Sequence, residues 1–397
     1  MEQSYITYLN IIKKIDQTDP EPVMIPPQLQ KPLAQLALKH ATVPFLLPYI
    51  DDPVYLPLLK QQTKRMLLNY YQIEQFTRRI AFLFEKEQIP YFLLKGISLC
   101  DCYPSPESRK LGDVDLYINE PAALEKAKKA LEQSGFVLHD ELSDHHLTYS
   151  YTFPATGRVC LLELHFRVTG LYQYTPANAV VDEVFSEKAL KHDFQTINGV
   201  SYSVLPPTEY TFYMLHHMLK HYLYSGFGIR LLCDFTFYLK RHACEIDFEK
   251  IHDWCTRSRI LHLYEIILQT CRLFLGLPDT IDPQIRYSEE TCEQFILKIL
   301  SDNDMGTVTE NTLVGSGSYH RITPLTYFKE GHLQMHVRFP RLGKCPLLWP
   351  VLWGITFFCF VRNTYRLRNT TLRDTLRSFH ESNKASLLIR IFDNSDS

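Results

Sequence analysis

The chain has no marked excess of charge of either sign: Lys plus Arg number 42 and Asp plus Glu 44, a formal net charge of −2. That balance excludes a general nucleic-acid coat, which works by releasing counterions from a broadly basic surface. A local basic cleft remains open. Cysteines at paired metal-ligand spacing are also missing. The ten cysteines are scattered, and Cys100-Asp101-Cys102 has no second pair at zinc-site distance. They read as reduced thiols, mostly buried, in a cytoplasmic protein. Met1-Glu2-Gln3-Ser4 is not a basic region leading into an apolar stretch, so no secretory leader is expected. The apolar run Pro346 to Val361 covers 16 residues, fewer than the roughly 20 a membrane helix needs, and contains Pro350 and Gly354. Internal repeats and low-complexity tracts are absent. What is present is 397 residues with 45% apolar content, enough for two or three domains with a sizeable core.

The most informative stretch is Gly112-Asp113-Val114-Asp115-Leu116-Tyr117-Ile118, which reads as a strand. Residues i and i+2 share a strand face, so Asp113 and Asp115 stand side by side, roughly 7 Å apart along the backbone. Carboxylates that close repel unless a cation lies between them. Hard oxygens on a rigid strand suit Mg²⁺, which takes its remaining ligands from water and substrate phosphates. The plainer reading is a strand end with two solvated acids, and the flanking sequence bears on the choice. Upstream, Tyr91-Phe92-Leu93-Leu94 reads as a strand that stops at Lys95-Gly96 and gives way to a helix start at Ile97-Ser98. A glycine there lets backbone approach a phosphate closely, Ser98 adds a hydroxyl, and Lys95 reads either as a phosphate ligand or as a lysine snorkelling from a strand end. Downstream, Leu162 to Val168 alternates strictly. Glu163, His165 and Arg167 share one face, and Leu162, Leu164 and Phe166 the other. If that strand neighbours the aspartate strand, Glu163 becomes a third acid beside the first two.

Leu94-Lys95-Gly96, Arg109, Gly112-Asp113-Val114-Asp115 and Glu163-Leu164-His165, in that order, carry a resemblance. The chain resembles the nucleotidyltransferase superfamily that includes DNA polymerase beta. More closely it resembles an uncharacterised bacterial family within it, over roughly residues 60 to 240. The resemblance implies that Asp113, Asp115 and Glu163 bind two Mg²⁺ ions. It also implies that Gly96 and the amides after it hold a nucleoside triphosphate, with Lys95, Ser98, Arg109 and Gly112 as further candidate nucleotide contacts. The implied reaction attaches a nucleoside monophosphate to an acceptor hydroxyl and releases pyrophosphate. The acceptor is a sugar, a small molecule, a protein hydroxyl or an RNA end. Two features depart from the superfamily pattern: Ile97 separates Gly96 from Ser98, and Tyr103-Pro104-Ser105-Pro106 lengthens the gap before the aspartates.

The expected fold is α+β: a mixed sheet with helices on one face, flanked by N- and C-terminal helical regions. Residues 1–58 read as a proline-broken helical region and 59–205 as the nucleotidyltransferase core. Residues 206–300 read as a helical domain forming the other wall of the cleft, and 301–397 as a loop followed by a basic, apolar helical region. The core opens with a long helix from Leu58 to Glu87. A second helix runs Ala122 to Ser134 between Pro121 and Gly135. Hairpins are expected around Ala155 to Arg158 and at Ile197-Asn198-Gly199-Val200.

His217 and His221, four apart on a helix, lack the glutamate of a metalloprotease motif. With His165 and Arg230 they are candidates for the acceptor side of the cleft, the alternative for Arg230 being an i,i+4 ion pair with Asp234. His145-His146 reads as a solvated loop pair, and Arg109 as a phosphate contact, a partner of Asp113 and Asp115, or a plainly exposed side chain. From Arg338 to Arg377 there are eight Lys or Arg and one acid, Asp374. Residues 346–377 therefore read as a buried helix with a basic neighbour, as a peripheral contact with the inner membrane surface, or, last, as a true span. The runner-up for function is a nucleotide-binding regulator or scaffold, with attachment to a membrane surface in cell-envelope polysaccharide assembly.

Overall fold

The computed structural model describes residues 1–17, 25–139, 143–172, 174–224, 226–302, 304 and 324–367. Asp140, most of the polar stretch after Ser301, and the basic tail beyond Leu367 lie outside the described residues. The sheet has seven strands: β1 (Phe92–Leu93), β2 (Val114–Tyr117), β3 (Val137–Leu138), β4 (His146–Thr152), β5 (Val159–His165), β6 (Asp193–Ile197) and β7 (Val200–Val204). Their order is β3-β4-β5-β2-β1-β7-β6. β2 runs parallel to β5 and β1 parallel to β7, while the other neighbours are antiparallel. The sheet is therefore mixed and the fold α+β.

Fourteen helices surround it among the described residues. They are α1 (Gln3–Lys13), α2 (Pro27–Lys39), α3 (Val43–Leu46), α4 (Tyr55–Lys86), α5 (Ile97–Cys100), α6 (Pro121–Gln133) and α7 (Thr175–Val184). Then come α8 (Pro207–Tyr224), α9 (Ile229–His242), α10 (Phe248–Arg257), α11 (Leu261–Leu275), α12 (Glu289–Ser301), α13 (Pro324–Arg338) and α14 (Trp349–Leu367). The expected long helix is α4, and the Pro121-to-Gly135 helix is α6. Gly135 has φ +85° at the end of α6, a conformation that suits glycine. Asn198 and Gly199 both have positive φ, as a two-residue turn between twisted strands requires.

The alternation seen in the sequence divides the sheet into two faces. Leu93, Val114, Leu116, Leu162 and Leu164 join Ile73, Phe76 and Ile80 of α4 and Ala127 and Leu131 of α6 in one apolar cluster. The opposite face carries Phe92 and Tyr117, which belong to a second cluster with α8 and α9. That second cluster also takes in Tyr8, Ile11, Leu33 and Leu46 from α1 to α3 and Ile266, Phe295 and Ile299 from α11 and α12. The N-terminal helices and the helices after residue 206 thus share one core. The acids of β2 and β5 point to this second side, where α8 and α9 approach.

Candidate functional site

Parallel pairing of β2 with β5 sets Asp115 opposite Glu163 and Tyr117 opposite His165. Because register partners project to the same face, the sheet delivers the acids of two distant segments to one place. Oxygens of Asp115 and Glu163 and a nitrogen of His165 all lie within 4.8 Å of one another. His165 Nε2 is 3.2 Å from Asp115 Oδ1 and 3.3 Å from Glu163 Oε2. Asp113 sits just ahead of β2 and lines the adjoining pocket.

Lys95, at the end of the first strand, places Nζ 3.2 Å from Asp115 Oδ1. Burial alone would lower its pKa, but Asp115, Asp113 and Glu163 outweigh that effect and raise it. The same contest raises His165: burial opposes its charge, and the hydrogen bonds it donates to Asp115 and Glu163 win. For Glu163, burial works upward, and the net shift is downward because His165 and Lys95 favour the carboxylate. Among the described residues, buried Asp115 Oδ2 has no hydrogen-bond partner. An orphaned carboxylate oxygen beside a second acid suits a hard divalent cation, and Asp115 and Glu163 offer such a cation oxygens within 4.8 Å of each other.

Lys95, Gly96, Arg109, Gly112, Asp113, Asp115, His217, His221, Arg230, Asp234 and Asp304 line one pocket against this cluster. Gly96 has φ +89° and ψ −121°, a region closed to L side chains, and a Cβ there would meet nothing within 4 Å. The turn therefore leaves open space where its backbone faces the pocket. α5 after it is a single turn, too short to add much of a helix dipole. Ser98 is buried, lies outside the pocket lining, and sits against Tyr210.

Arg109 is neither exposed nor paired with the site acids. It is buried and makes a two-pronged contact with Asp234, Nε to Oδ1 at 2.7 Å and Nη2 to Oδ2 at 2.8 Å. Tyr103 donates its hydroxyl to the same carboxylate. Arg230 reaches Asp234 at 3.6 Å, the i,i+4 pair, and Asp304 at 2.6 Å. Lys110 approaches Asp304 at 3.0 Å. In the same pocket lining, His217 and His221 stack edge to face at 4.6 Å between ring centres. Burial, reinforced by Lys95, holds His217 far below its ordinary pKa and His221 at about 3.

His145 and His146 are not a solvated pair. His146 opens β4 opposite His165, and buried His145 bridges Asp144 at 2.7 Å and Lys220 at 2.9 Å. Arg167 turns away past the end of β5 and pairs with Asp182. Asp101 and Glu107 serve Arg241 and Tyr71 respectively. Lys110, Asp234 and Asp304 carried no signal as site residues in the sequence. An acid facing an arginine more than a hundred residues away leaves no local pattern.

Over residues 31–276 the chain matches the family described as uncharacterised nucleotidyltransferase. The chain belongs to that family. Nucleotidyl transfer is accordingly its general chemistry, and the acid pair on β2 and β5 falls within the matched span. No curated protein matches the chain. One solved structure with some likeness is the crystal structure of an antigenic nucleotidyltransferase-like protein from Paracoccidioides brasiliensis. It is 18% identical, covers 51% of this chain and 92% of its own, and has a TM-score of 0.33, too slight a likeness to argue from.

Proposed function

We propose that this nucleotidyltransferase-family chain transfers a nucleoside monophosphate from a nucleoside triphosphate to an acceptor hydroxyl, with pyrophosphate leaving. The observation that carries the reading is the register pairing of Asp115 with Glu163 beside a pocket lined by Lys95, Lys110 and Arg230. Asp113, Asp115 and Glu163 would hold Mg²⁺, which supplies charge neutralisation on the phosphates and polarises the entering oxygen. Gly96 lets the triphosphate lie close to backbone amides. Lys95 and Arg230 face the charge that accumulates on the phosphates, so positioning and electrostatics do most of the work. The acceptor oxygen attacks the α-phosphorus, the bond to the β-phosphate oxygen breaks, and the acceptor's proton passes to Glu163. His217 and His221, neutral and half-buried on α8, can hydrogen-bond an uncharged acceptor without repelling it.

The test is incubation of the full chain with each α-labelled nucleoside triphosphate, Mg²⁺ and a cell extract, reading where label lands and whether pyrophosphate appears. Label on an acceptor with wild type and none with Asp115→Asn supports the reading. Nucleotide binding with no pyrophosphate release from any mixture replaces it with a nucleotide sensor.

A further inference from the structure

α14 is apolar on two sides, and among the described residues one of them is packed and the other is exposed. Leu352 is buried, and Trp349, Trp353 and Thr356 are half-buried. Trp353 donates Nε1–H to His332 of α13 at 3.2 Å, and its ring meets Phe328 at 4.8 Å. Trp349 donates to the Gly343 carbonyl at 2.7 Å. That inner face closes a helical hairpin with α13 around the fully buried Met335.

The outer face runs through Val351, Gly354, Ile355 and Phe358, spaced at three and four residues so that they form one stripe. Leu347 extends the stripe into the preceding turn. Leu347 is 90% exposed, Val351 62% and Phe358 65%. Among the described residues nothing lies within 4 Å of a Cβ placed at Gly354. Phe357 widens the patch at its flank. Single exposed apolar residues are common, but a continuous stripe of large ones marks an interaction surface. Exposed Arg341 and Lys344 border it at the hairpin turn. Between Gly331 and Arg373 there is no Asp or Glu.

We propose that this outer face of α14, with the turn before it, lies on an anionic lipid bilayer surface. Leu347, Val351, Ile355 and Phe358 enter the acyl boundary, and Arg341 and Lys344 rest at the headgroups. The attachment is in the plane of the surface: among the described residues no helix is long and apolar enough to cross a membrane. Charge decides the occupant. Two copies meeting through this stripe would bring the same basic border against itself, because an isologous contact pairs a patch with its own copy. A bilayer of anionic headgroups offers the opposite sign along the whole border.

Flotation of the full chain with vesicles tests this. One set is phosphatidylcholine alone and the other contains a substantial fraction of phosphatidylglycerol. The chain should float with the anionic vesicles, and added salt should weaken the association. Leu347→Ser and Phe358→Glu should each lower the partition coefficient at least tenfold. Lys344→Glu should lower it at least fivefold, since each basic residue near an anionic surface contributes about a fivefold preference. Leu347 is so exposed that its replacement leaves folding untouched, and the circular dichroism and nucleotide binding of every variant should match wild type. A chain that stays in the aqueous fraction with both vesicle sets overturns the proposal, as does equal binding to neutral and anionic vesicles. Concentration-dependent dimers that the same variants dissolve, without vesicle binding, would assign the stripe to a second copy and overturn it as well.

Discussion

Gly96→Ala separates the strain of a turn from the occupancy of the pocket in front of it. At φ +89° and ψ −121° the glycine sits where a Cβ collides with its own backbone, and holding alanine there costs about 1–3 kcal/mol. No neighbour contributes, because the added methyl would meet nothing within 4 Å. That emptiness is the seat assigned to the phosphates, so the methyl should also weaken nucleotide binding at least tenfold, about 1.4 kcal/mol. Gly135 provides a matched control. It too has positive φ, +85°, and open space at its Cβ, but it caps α6 away from the pocket. Gly135→Ala should lower the unfolding free energy by about 1–2 kcal/mol and leave nucleotide affinity unchanged. Denaturant unfolding and calorimetric titration with nucleotide and Mg²⁺, on both variants, give the four numbers required. If Gly96→Ala binds nucleotide as tightly as Gly135→Ala does, the phosphates lie elsewhere and Lys95-Gly96 is only a turn.

Three further outcomes are expected. Asp115→Asn should abolish the Mg²⁺ dependence of nucleotide binding in calorimetry, and unchanged Mg²⁺ dependence would remove Asp115 from the cation site. Arg109→Ala and Asp234→Ala should each destabilise the chain by about 3–5 kcal/mol, because either one strands a buried charge. The double variant should then lose clearly less than the sum, and additive losses would show that the pair is not coupled. His40 and His216 are fully buried, and burial holds them at about 4 and about 3, so the unfolded chain binds the extra protons from about pH 6.5 downward. Stability should therefore fall as pH drops from about 6.5 toward 4, by about 1.4 kcal/mol per unit for each histidine once the unfolded form is protonated. His216→Gln should reduce that slope by one proton's worth in denaturant titrations across the range, and an unchanged slope would refute the assignment.

Short periodicities made much of this molecule readable. The i, i+2 spacing of Asp113 and Asp115, the alternation from Leu162 to Phe166, and the proline and glycine that bracket α6 are local patterns with local causes. The sheet confirmed the one long-range step built on them, since β2 and β5 are neighbours and bring Asp115 and Glu163 together. Other positions had no such cause to read. Arg109 finds Asp234 across the interface between the sheet and α9, and nothing near either residue in the chain announces the other. His145 looked like loop because its stretch is polar, yet Asp144 and Lys220 hold it in the interior. Residues 175–184 show little helical signal beyond Pro176 in the first turn of α7.

Asp304 gives the pocket a property of its own. Its carboxylate holds Arg230 and Lys110, and its backbone is tied to Lys39 and Gly228. The cations that would greet a triphosphate are thus already answered by an internal anion. On the proposed function, triphosphate binding would be an exchange of one negative partner for another, and its affinity a difference between two seats. Residue 304 is then a dial: whatever tightens its hold on α2 and α9 makes the nucleotide a weaker competitor, and whatever loosens it makes the nucleotide a stronger one.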